Sequence, residues 1–188
     1  MKKRRGILNE KRGQFFLIAA VVIIAVIVSI VTITNYTQQK DVVRLYDLGE
    51  ELGIESQQVL DYGTYSELNE TEMKDLVENF IVNYVSYIEE DKNIYFIFGN
   101  KYKINVLGYQ QIQEEDVQVC LNVDGNGCNP YITIGKTEEF SKGEKIEKVT
   151  IVIDTVEYQF ELTEGENFYF VIWQEIGGEK HVVTNKPE

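Results

Sequence analysis

Residues 11–34 read KRG-QFFLIAAVVIIAVIVSIVTIT, and this stretch decides the architecture. No charged residue occurs between Gln14 and Gln39, and from Phe15 to Val31 only Ser29 is polar. At a rise of about 1.5 Å per residue, Phe15 to Thr34 makes a helix of roughly 30 Å, the thickness of one hydrocarbon core. A lone segment crossing a bilayer must satisfy its own backbone hydrogen bonds, so it is expected to be helical.

Charge divides at this stretch. The chain has 188 residues and a net charge of −13. Six of its 18 basic residues, Lys2, Lys3, Arg4, Arg5, Lys11 and Arg12, precede the apolar run against Glu10 alone, a net of +5. The remaining 12 basic and 30 acidic residues follow it, a net of −18. The positive-inside rule puts the basic end in the cytoplasm and the acidic part outside. A surface this acidic repels phosphates, so a nucleic-acid partner is not expected. Membrane lipid is the first expected partner. The apolar run exceeds that of an ordinary secretory signal, and no A-x-A site follows it, so either a retained anchor or a segment cut on its other side is expected.

The sequence divides into a basic cytoplasmic leader (1–13), a transmembrane helix (14–35), an amphipathic stalk helix (36–62) and an extracellular head (63–188). Apolar residues continue at Val42, Leu45, Leu48 or Gly49, Leu52 and Val59 in steps of three and four, which extends the first helix to about Leu60. Gly49 and Gly53 are expected to weaken or kink it. Asp61 to Asn69 reads as a loop. Thr71 is expected to cap a second helix, whose stripe runs from Met73 through Leu76, Val77, Phe80, Ile81, Tyr84 and Val85 to Ile88.

After Asn93 the period becomes two. Ile94–Phe98 and Lys101–Leu107 read as strands joined by a turn at Gly99-Asn100. Asp116–Val123 with Tyr131–Ile134, and Val149–Asp154 with Val156–Leu162, read as further pairs. Asn167–Gln174 and Lys180–Thr184 form the last, joined through Gly177-Gly178. The fold class is therefore α+β: an apolar helix extended as a stalk, a second helix, and an antiparallel sheet or small sandwich. The tail after Thr184 is expected to fray.

Few residues point to chemistry. His181 is the only histidine, which excludes a His-rich metal site, and no catalytic triad can be assembled. No cofactor is implied and no enzyme is expected. Asp124-Gly-Asn126-Gly has the start of a calcium loop but lacks its spaced acidic series, and reads as a turn. Cys120 and Cys128 flank that turn and are candidates for a disulfide in an oxidising compartment. Glu138, Glu139, Glu144, Glu147, Glu164 and Glu166 read as an acidic rim in turns. The alternating aromatics around Tyr95, Phe160 and Trp173 read as sheet core rather than a carbohydrate-binding face. Asn35-Tyr-Thr37 and Asn69-Glu-Thr71 match the N-glycosylation pattern.

The basic leader, Lys11-Arg12-Gly13-Gln14 and the uninterrupted helix together resemble the type III signal sequence of type IV pilins, in its archaeal form. The resemblance implies cleavage between Gly13 and Gln14 by a membrane-embedded prepilin peptidase, leaving the apolar helix on the mature chain. It also implies a structural role: a pilin-like subunit of a surface filament, or of its assembly machinery, in homo- or hetero-oligomers with other pilin-like subunits. Many bacterial pilins carry Glu at the fifth mature residue; here that residue is Ile18, as is common in archaeal pilins. Ile94–Asn100 and Glu161–Trp173 look like external domains of small archaeal membrane proteins. The alternative is a single-pass anchored protein whose head binds a protein or glycan, with no processing.

Overall fold

One helix, α1 (Gly6–Tyr65), carries the whole apolar run and continues beyond it. The computed structural model describes residues 6–88, 92–109, 117–121, 128–130, 135–141, 145–153 and 155–185, with side chains from residue 15 onward except within 117–121 and 128–130. The chain divides into two compact units, Met1–Val43 and Arg44–Glu188. Helix α1 begins before the expected boundary at Gln14.

In the first unit the large apolar side chains from Phe15 to Ile33 are between 52% and 72% exposed. The hydroxyls of Ser29, Thr32, Thr34 and Thr37 each donate to the carbonyl four residues back, at 2.7–3.1 Å. Their polar hydrogens are thus satisfied within the helix, as an apolar surrounding demands. Among the described residues, α1 is the one helix long and apolar enough to cross a membrane.

In the second unit, Leu45, Gly49, Leu52, Ser56, Leu60 and Gly63 form the buried stripe of α1. The glycines expected to weaken the helix leave it unbroken. Gly49 instead permits a close approach, because a Cβ there would collide with Cγ1 of Val183. The expected loop at 61–69 is shorter than the sequence suggested. Helix α1 runs through Gly63 to Tyr65 and stops at Glu67, whose φ of 52° is left-handed. There the Leu68 amide donates to the Gly63 carbonyl at 3.1 Å, which satisfies an end carbonyl as in a Schellman motif.

Helix α2 (Glu70–Tyr87) is capped by Asn69, not Thr71. The Asn69 side-chain oxygen accepts from the amides of Thr71 and Glu72 at 3.0 and 3.1 Å, and the Glu72 carboxylate accepts from the Asn69 amide at 2.9 Å. This reciprocal box satisfies donors that Thr71, lying inside the helix, cannot reach. Met73, Val77, Ile81 and Tyr84 form its buried stripe.

Among the described residues nine strands follow: β1 (Asn93–Asn100), β2 (Lys103–Tyr109), β3 (Val117–Leu121), β4 (Cys128–Pro130), β5 (Glu138–Ser141), β6 (Lys148–Ile153), β7 (Val156–Glu161), β8 (Asn167–Ile176) and β9 (Glu179–Thr184). They form two antiparallel sheets, one in the order β5-β2-β1-β8-β9 and one in the order β4-β3-β6-β7. Three details differ from the sequence reading. The first hairpin turns at Lys101-Tyr102, with Gly99-Asn100 still paired in β1. The Asn100 side chain holds that turn by accepting from the Tyr102 and Lys103 amides at 2.9 and 3.1 Å. β3 pairs with Cys128–Pro130, and 131–134 lie outside the described residues. Glu138 and Glu139 belong to a strand, β5, rather than a turn. Gly177 and Gly178, with φ of 64° and 84°, make the expected β8–β9 turn, a conformation that favours glycine.

The five-stranded sheet is covered on both faces. One face presents Ile94, Phe96, Phe98, Phe168, Phe170 and Ile172 to the stripes of α1 and α2. The other presents Tyr95, Ile97, Tyr169, Val171 and Trp173 to Val149, Ile151, Ile153 and Phe160 of the second sheet. Two covered faces explain why β1 and β8 read as nearly continuous apolar runs. The aromatics are core, as expected. Asn185 extends β8's pairing past β9: its side chain accepts from the Phe170 amide and donates to the Phe168 carbonyl, each at 2.9 Å. Only 186–188 of the expected tail lie outside the described residues.

The Gly49 contact gives a test with opposed signs. Alanine favours a helix over glycine by about 1 kcal/mol, yet the Val183 collision should make Gly49→Ala destabilising by ~1–3 kcal/mol. Adding Val183→Ala should recover part of that loss. The denaturant midpoint, followed by circular dichroism in micelles, reads both; a stabilised Gly49→Ala variant would contradict the packing.

Candidate functional site

A cleft in the head lies where the first turns of α2 approach the β1–β2 hairpin and the loop before β8. It holds about 260 Å³. One wall is apolar, made by Leu60, Met73, Val77 and Phe98, and its polar groups come from α2, β1, β2, β5, β8 and the loop before β8. This placement follows from the sheet order: β2 brings Lys103 beside β5, and α2 lays Lys74 over the same edge.

Glu139 on β5 accepts from both lysines, at 3.1 Å from Lys74 Nζ and 3.1 Å from Lys103 Nζ. The hydrogen bonds from Lys74 and then Lys103 hold its carboxyl below the ordinary carboxylate range. That interaction adds stability above the unfolded-state pKa and loses it as pH falls through the lower folded value. The pairs are partly exposed, so their contribution is small.

Two asparagines organise the interior. Asn167 is buried, and its side-chain oxygen accepts from the Thr163 amide and hydroxyl at 2.8 and 2.9 Å. Its amide nitrogen donates to the carbonyls of Thr163, Gly165 and Gly99 at 3.1–3.3 Å. These bonds fix the loop that carries Glu164 and Glu166. Asn105, on β2, is 4% exposed. Its amide nitrogen reaches the Phe98 carbonyl at 3.4 Å, and its oxygen has no hydrogen-bond partner among the described residues.

Glu166 differs from Glu139. Burial is the main cause that raises its pKa; a hydrogen bond from Asn100 opposes the shift and the nearby Glu70 charge adds to it. A shallower depression of about 460 Å³ adjoins the cleft, sharing Glu70, Asn100 and Glu166 and adding Tyr102. Beside it, Lys101 and Lys145 both pair with Glu164, at 3.2 and 3.3 Å.

The residues singled out in the sequence do not meet in this cleft, apart from Glu139 and Glu166. Lys11, Arg12, Gly13 and Gln14 have backbone within α1, and their side chains lie outside the described ones. Asn35 is exposed on α1, while Asn69 caps α2 with its oxygen already engaged. Cys120 lies directly opposite Cys128 in the β3–β4 register, and the side chains of both fall outside those described. His181 stands opposite Gln174 on β9. Asp124–Gly127 lies outside the described residues. Among the described residues no group of three or more metal-ligating side chains comes together.

Sequence reasoning missed Lys74, Lys103, Asn105 and Asn167. Each occupies an ordinary polar place in its own element, and only the tertiary arrangement joins them. Asn105, set between Ile104 and Val106, carried the one available signal: a polar group in a strand that proved to be buried on both faces.

No family model, no curated protein and no solved structure matches this chain.

The raised Glu166 pKa has a definite sign. Because the folded value exceeds the unfolded one, ionising Glu166 costs stability. The cost is absent below the unfolded value and complete above the folded one. Glu166→Gln should therefore stabilise the head at pH 7 and lose that advantage in acid below the ordinary carboxylate range. Thermal melts across pH check this; a variant equally or less stable at pH 7 would contradict it.

Proposed function

We propose that this protein is a pilin-like structural subunit of a surface filament or of its assembly machinery. In this reading its basic end is cytoplasmic, its head lies outside, and a prepilin peptidase cuts after Gly13. The observation that supports it is α1 itself. The helix that supplies Leu45, Leu52 and Leu60 to the head's core also carries an apolar run whose large side chains are all more than half exposed. Each such side chain left in water costs roughly 1.5–3 kcal/mol, so the run needs an apolar surrounding on every side.

Lipid supplies that surrounding before assembly. A bundle of like helices supplies it afterwards, and the exchange costs little because one apolar environment replaces another. Ala19, Ala20, Ala25 and Ser29 allow neighbouring helices to approach closely. The acidic heads stay in solution, where salt screens their repulsion. A single-pass binding protein with its leader retained is the second reading, and the cleft beside α2 favours it.

A Cys120–Cys128 bond belongs to the same proposal, since it requires an oxidising compartment. Directly opposed residues of an antiparallel pair have Cα atoms about 4.5–5.5 Å apart, within the span a disulfide bridges.

Mass spectrometry of the protein from native membranes tests the proposal. The mature chain should begin at Gln14, and Gly13→Val should leave the full-length precursor. Reduction and alkylation in the same experiment should reveal one bonded cysteine pair. Electron microscopy of sheared surface material, probed with antibody to the head, should show labelled filaments. An intact leader, with all the protein monomeric in the membrane, would overturn the filament reading in favour of the anchored one. Two free thiols would remove the disulfide.

A further inference from the structure

We propose that the cleft beside α2 binds one sugar unit, and that this is a property of the head that holds whether or not Gly13 is cut. Three observations combine. The first is the unmatched oxygen of Asn105, a residue only 4% exposed that lines the cleft. A buried acceptor without a partner costs free energy, and a ligand that brings a donor recovers it.

The second is the mixture of charges. Lys74 and Lys103 share the carboxylate of Glu139, with Glu78 also 3.9 Å from Lys74, and each ammonium has three N–H groups to distribute. Glu70 and Glu166 line the same cleft with carboxylate acceptors. A cationic ligand would meet the lysines and an anionic one the glutamates. A hydroxyl is donor and acceptor at once without net charge, so a polyhydroxylated ligand suits both.

The third is shape. Leu60, Met73, Val77 and Phe98 give one apolar wall, against which the C–H face of a sugar ring packs. The cleft's volume of about 260 Å³ lies below the usual ~300–1,000 Å³ range of ligand pockets. That size suits a single ring, either free or at the end of a glycan.

The test uses the full chain in phosphatidylcholine nanodiscs, free of glycosidic detergents, which would compete. The probes are glucose, galactose, mannose and N-acetylglucosamine, each also as its methyl glycoside, read by saturation-transfer NMR. At least one probe should receive saturation, and Asn105→Leu and Lys74→Met should each abolish it. Glu175→Gln, exposed on β8, should leave it unchanged. Binding of methyl glycosides marks the end of a glycan as the ligand; binding of free sugars alone marks a soluble sugar. Lys74 lies at the partly exposed rim, so its variant decides the matter if Asn105→Leu fails to fold. No saturation from any probe, or saturation that survives Lys74→Met, overturns the inference.

Discussion

The head depends on the apolar character of both faces of β1 and β8. Strands buried on two sides cannot rest with one face in water, so each face demands its own cover. The second sheet covers one. The second half of α1 and the stripe of α2 cover the other. Removing Leu45, Leu52 or Leu60 would therefore leave a cavity in the cluster that also holds Phe96 and Phe170. Helix α1 is a structural part of the head from Arg44 onward. Its apolar half is covalently continuous with it.

The same two-sided burial accounts for the cleft. Sheet order fixes Lys103 beside Glu139, and the packing of α2 on the sheet sets Lys74 above that edge. Asn105 comes from β2, on which Ile104 and Val106 turn towards the second sheet and Leu107 towards the helices. Its amide is thereby committed to a dry place. The two carboxylates of the site respond in opposite directions because Glu139 is held by cations while Glu166 is chiefly desolvated.

Much of the architecture was legible where one physical signal dominated. The uninterrupted apolar run and the stripe from Met73 to Ile88, with its period of about 3.6 residues, formed helices, and the aromatic-rich segments after Asn93 formed strands, as expected. Local errors arose where two signals competed. Gly63 suggested a loop, but its small size serves the packing of α1 against Met73, and the helix ends instead at Glu67. Thr71 is a good cap by type, yet Asn69 with Glu72 satisfies more donors. Gly99-Asn100 resembled a turn, but Asn100 works from the last strand position through its side chain. β5 was hidden because two adjacent glutamates, Glu138 and Glu139, fill half of its four positions and masked its pairing with β2. The cleft was illegible for a different reason: its residues come from both helices and four strands and share no spacing.

The central claim is that α1 is one helix with two surroundings, apolar on every side in its first half and covered on one face in its second. Site-directed spin labels placed singly along residues 15–65, in bilayers, measure this through accessibility to oxygen and to a water-soluble nickel chelate. The account predicts high oxygen and low nickel accessibility at all positions from 15 to 33. Beyond Arg44 it predicts a period of about 3.6 residues, with protection at Leu45, Leu52 and Leu60. Nickel accessibility throughout the first half, or loss of the period in the second, would contradict it.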